Sequence, residues 1–172
     1  QKSQDVYWNQ FLSWYFVQQK EYGKAFVQEK AVYKRNPDSF YNIVTLAKLA
    51  IDEKQNEDAT SILTFVLENT DNIDLQMQAH HFLVSMEIEL ALEKDYLALD
   101  LKLQGLLKKY GITPFSLELQ ILTAHFEAFY LKQTDLGKQL LQNALQLPLN
   151  IREESRVKME LADIMVYDEK FN

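Results

Sequence analysis

Corners are scarce in this chain. Its 172 residues include 4 Gly and 3 Pro, where average usage would give roughly 20 of the two together. Hairpin turns, bulges and tight strand connections draw on those residues for positive φ and fixed φ, so a sheet-rich or loop-rich fold is close to excluded. An all-α chain remains. With 47% apolar and 25% charged residues, it can bury enough surface to offset the entropy of ordering the chain.

The chain also repeats itself at an interval of 34 residues. Leu12 recurs 34 residues later as Leu46, Ser13 as Ala47, Ala25 as Ala59 and Val32 as Val66, with Pro37 aligning with Asp71. Each period reads as an apolar helix, a short polar turn, a second amphipathic helix and a break. The helices expected are 4–20, 22–35, 39–53, 56–69, 73–93, 95–110, 114–132, 134–147 and 150–168, about nine in all. Short connections make neighbours antiparallel. Asp38 or Ser39 is an N-cap candidate after Pro37, and Gly111 stops a helix before Thr113-Pro114 caps the next. Asn150 with Glu153 reads as a capping box.

The spacing Tyr22-x2-Ala25-x6-Val32-x4-Pro37, preceded by Leu12, Ser13 and Phe16, resembles the tetratricopeptide repeat. Residues 40–73 repeat it with Leu46, Ala47, Ala50, Ala59, Leu63 and Val66 but depart from it at Asn56 and Asp71. Later units match more loosely. About six residues are inserted near Asp71 to Gln76, and the fourth unit offers Ala124, Ala128, Gly137, Leu141 and Ala144. The resemblance implies a right-handed α-solenoid of antiparallel hairpins in one array over 1–172, with units 6–39, 40–73, 74–112, 113–149 and a truncated 150–172. The start at Gln1-Lys2-Ser3 and the end at Phe171-Asn172, inside a unit, give the expectation of a fragment of a longer array.

Chemistry is hard to place. No cysteine is present, which excludes thiolate metal sites and a cysteine nucleophile. His80 and His81 point about 100° apart on a helix, and His125 sits among Ala124, Phe126 and Ala128 without a metal-ligand spacing. Glu87 with Glu89, Glu153 with Glu154 and Asp168 with Glu169 are too close in sequence to share a helix face. Four scattered glycines build no phosphate loop. The expectation is a non-enzymatic protein with neither cofactor nor metal.

The net charge of −7 is concentrated in 52–100, which carries −10, while 1–39 carries +2. An acidic middle disfavours nucleic acid, which needs clustered Lys and Arg. A related helical repeat that reads RNA would need basic inner helices, which are not seen. Nor is there an apolar run long enough to insert in a membrane.

The resemblance implies a concave groove lined by the first helix of each hairpin, binding a protein or peptide segment. Carried over by position, its lining is Tyr7, Gln10, Trp14 and Val17, then Tyr41, Val44, Lys48 and Ile51. Less closely matched are His81, Val84, Ile88 and Ala91, then Leu119, Leu122, Phe126 and Phe129. Gln10, Phe11, Trp14 and Val44, Thr45, Lys48 stand where one subclass carries a Lys/Arg/Asn clamp for a carboxylate tail, so that activity is not implied. The alternative to a ligand groove is an architectural spacer packed on neighbouring hairpins. Ile151, Val157, Leu161, Ile164, Met165 and Tyr167 spread round the last helix, and an uncapped 150–168 makes a homodimer through it an expectation.

Overall fold

The computed structural model describes residues 2–36 and 40–171, with side chains for 5–36 and 42–170. Pro37, Asp38 and Ser39 lie outside the described residues, as does the side chain of Tyr41. Nine α-helices and no strand occur among the described residues. They are α1 (Lys2–Gln18), α2 (Tyr22–Tyr33), α3 (Phe40–Asp52), α4 (Asn56–Asn69), α5 (Ile73–Leu90), α6 (Tyr96–Tyr110), α7 (Leu117–His125), α8 (Thr134–Ala144) and α9 (Ile151–Phe171). A π-helical turn, Phe126–Tyr130, prolongs α7, and single 3₁₀ turns precede α6 and α7. No described helix is long and apolar enough to cross a membrane.

Contacts divide the chain into two compact units, Gln1–Leu83 and Val84–Asn172. In the first, α1 packs on α2, α2 on α3, and α3 on α4. The small residues Ala25, Ala47, Ala50 and Ala59 are fully buried where these helices approach, among Ile43, Leu46, Ile62, Leu63 and Val66. Tyr22 and Ser13 are buried with them, whereas Leu12 is only half-buried. In the second unit, Ala124, Leu141, Val157 and Ile164 join α7, α8 and α9 in one core, while Val84, Leu99, Leu103 and Phe126 form a second.

The corners explain how so few glycines suffice. Lys20, Lys54 and Lys132 take positive φ of 57°, 59° and 62°, a conformation that disfavours most side chains. Each closes the first helix of a hairpin. Lys20 N–H donates to Val17 O at 3.0 Å and Glu21 N–H to Phe16 O at 2.9 Å; Lys54 N–H and Gln55 N–H make the same pair to Ile51 O and Ala50 O. This is the Schellman closure, which satisfies carbonyls the helix end would leave unpaired. At the third corner Gln133 N–H reaches Glu127 O at 2.8 Å, one residue further back, because the π turn holds an additional residue.

The caps expected at Gly111, Thr113 and Asn150 are present, while Asp38 and Ser39 lie outside the described residues. Gly111, at φ 76°, ends α6, and Thr113 N–H donates to Ser116 Oγ at 3.1 Å as α7 is entered. Asn150 N–H donates to Glu153 Oε2 while Glu153 N–H donates to Asn150 Oδ1. The insertion near 71–76 is taken up largely as helix, since α5 has 18 residues against 13 in α3.

Candidate binding pocket

The residues expected to line a groove do not share one environment. Tyr7, Gln10, Trp14 and Lys48 are exposed, and Phe129 is half-buried against Tyr167 and His125. Val44, Val84, Ile88 and Leu119 are buried. Phe126 corrects the expectation: it is 0% exposed, sealed between Tyr96, Tyr130 and the apolar residues of α5 and α6. The reason is register. Trp14 follows the small residue Ser13 and Lys48 follows Ala47, so the matching place after Ala124 is His125. His125 is 43% exposed at its side chain and holds Glu160 of α9 at 2.9 Å.

Gln10, Trp14 and Val17 of α1 do converge. They face Asn42, Thr45 and Leu49 of α3 across an open pocket of about 370 Å³, with Ser13 and Glu29 also in its lining. Trp14 stands 58% exposed, so the pocket has an aromatic edge. Glu29 carries the one formal charge among the described residues of that lining.

Glu29 is the residue that reading the sequence missed. It is only 9% exposed; Ser13 Oγ donates to its Oε1, and its Oε2 has no hydrogen-bond partner among the described residues. The signal was available at the 34-residue interval. Ser13 and Glu29 stand where the next hairpin has Ala47 and Leu63, and where the α7–α8 hairpin has Ala124 and Leu141. Those four residues are fully buried. A leucine so placed contributes about 2 kcal/mol of burial, whereas a carboxyl group with one hydroxyl partner loses most of its hydration without full replacement. The first hairpin therefore carries a polar pair in a place that its relatives in the same chain use for packing.

A second surface adjoins the first. Trp8, Phe11 and Trp14 form a ladder along α1 with neighbouring ring centroids 6.0 Å apart. Trp8 is 64% and Phe11 52% exposed. Contiguous exposed aromatics on a folded chain mark contact surfaces more often than chance.

No family model, curated protein or solved structure matches the chain.

Proposed function

We propose that the chain is a non-enzymatic, tetratricopeptide-like interaction scaffold, in which stacked helical hairpins form a right-handed solenoid and a groove over their first helices holds a polypeptide segment. The repetition of one corner at Lys20, Lys54 and Lys132 supports the repeat. So do bonds that link successive hairpins at a constant interval: Gln55 Nε2 to Lys20 O, Gly23 N–H to Asp58 Oδ2, Lys132 Nζ to Tyr167 Oη and Thr134 Oγ1 to Asp168 Oδ1, all 34 or 35 residues apart. The observation that carries the binding function is the α1–α3 pocket with Trp14 at its edge, since concave sites bordered by a rigid aromatic are where anchors of partner chains insert.

An architectural reading has its own observation. Counting back 34 residues from Asn42, Thr45 and Leu49, the α3 residues that border α1 across the pocket, gives Trp8, Phe11 and Tyr15. These aromatics stand exposed on α1, where a further hairpin of the same kind would stack.

One selection tests both. Random peptides are displayed and selected on the native chain, then measured on Trp14→Ala and Phe11→Ala variants whose helical circular dichroism matches the native. Groove binding predicts at least tenfold weaker binding to Trp14→Ala and little change with Phe11→Ala. Peptides indifferent to Trp14, or none at all, would remove the groove as the binding site.

A further inference from the structure

We infer that the α1–α3 pocket receives a basic side chain, lysine or arginine, from a partner polypeptide, with the Glu29 carboxylate as its counter-charge. The inference rests on the groove reading and adds the chemistry of the occupant.

Three observations lead to it. The pair Ser13–Glu29 replaces the apolar pair used at the same place in two other hairpins, Ala47–Leu63 and Ala124–Leu141. One carboxylate oxygen has no donor among the described residues, which is costly in the folded chain unless something supplies one. And among the described residues no Lys or Arg lines the pocket to neutralise the carboxylate from within. Oε2 is closed to solvent at rest, so a cationic group entering the pocket meets both needs at once when the Glu29 carboxylate turns towards it in a charge-assisted hydrogen bond.

The rest of the lining fits a long basic side chain better than a small cation. Val17 and Leu49 offer apolar wall to an aliphatic stem, and the exposed face of Trp14 suits either the stem or the cationic head. Gln10 and Asn42 add amide oxygens that can take further N–H groups. A calcium ion would want about six to eight oxygen ligands, several of them carboxylates, and the described lining holds a single carboxylate.

The test extends the peptide selection. The comparison protein is the double variant Ser13→Ala/Glu29→Leu, which copies the arrangement of the next hairpin and keeps the helices packed; its melting curve and circular dichroism establish that it is folded. Peptides selected on the native chain are expected to share a lysine or arginine at one aligned position. They are expected to bind the double variant at least tenfold more weakly, and to lose affinity equally when that lysine is acetylated. Free butylamine at millimolar concentration should compete only feebly, because the neighbouring peptide contacts are missing. Selected peptides that need Trp14 but show no basic position, or that bind the double variant unchanged, overturn the inference and leave the groove standing. Failure to select any peptide removes both.

Discussion

Glu127 shows how one residue's setting alters the behaviour of the whole chain. It lies in the π turn, buried, with Gln104 Nε2 donating to its Oε1 at 2.9 Å and Oε2 without a hydrogen-bond partner among the described residues. Burial above all, and then the adjacent Asp100 carboxylate, push its carboxyl above the ordinary 4.5. A raised acid binds its proton more tightly in the folded chain than in the unfolded one. The resulting stability is complete below about pH 4.5 and is lost as pH rises through the folded value. Glu127→Gln, which keeps the acceptor for Gln104 and cannot ionise, should therefore melt with the native chain at pH 4. It should melt a few degrees higher at pH 7. Thermal melts across pH 4 to 8 check this, and a difference that does not grow with pH would contradict it. Glu29 is a different case at the same scale. Its residue type was plain in the sequence, but nothing local distinguishes a buried glutamate from the solvated ones on neighbouring turns.

At the scale of elements, Gly137 and Gly105, both inside helices, have opposite roles. A Cβ on Gly137 would lie 2.7 Å from Ala124 O and 3.3 Å from both Ala128 Cβ and Ile164 Cδ1, so α7 and α8 touch there through backbone. A Cβ on Gly105 would meet nothing within 4 Å. Gly105→Ala should stabilise α6 by about 0.5–1 kcal/mol, the helix propensity gained. Gly137→Ala should cost about 1–3 kcal/mol despite the same gain, because backbone and core must shift. Urea unfolding of the two variants reads the sign directly, and a stabilised Gly137→Ala would show that α7 and α8 separate without penalty. The nine helices were legible in sequence to within a few residues because apolar period, caps and stops are written within a turn or two of each end. The π turn was not. It changes the spacing from small residue to small residue from 12, in Ala47 to Ala59, to 13, in Ala124 to Gly137, and a single added residue leaves no local mark.

For the whole molecule, the chain divides into two compact helical units, each of which leaves apolar side chains exposed. Along α9, Val157, Leu161 and Ile164 pack against α7 and α8, which removes them from the face on which a dimer was expected. Met159, Met165 and Val166 stay at least 49% exposed. A dimer through α9 must use these residues. Light scattering of the native chain at high concentration should then give twice 20.2 kDa, and Met165→Glu with Val166→Glu should return it to the monomer mass. A native monomer with α9 helical would end that proposal. By itself the sequence determined an all-helical chain, the places of its corners and the 34-residue interval, since each depends on backbone bonds and side-chain patterns reaching only a few residues. Only the tertiary structure decided that Phe126 is core and that His125 takes the place after the small residue. It also decided that Glu29, 16 residues from Ser13 and on another helix, is bonded to Ser13 in the lining of a pocket bordered by Trp14. Burial is a property of what packs on a residue from elsewhere in the chain, and no pattern along one helix records it.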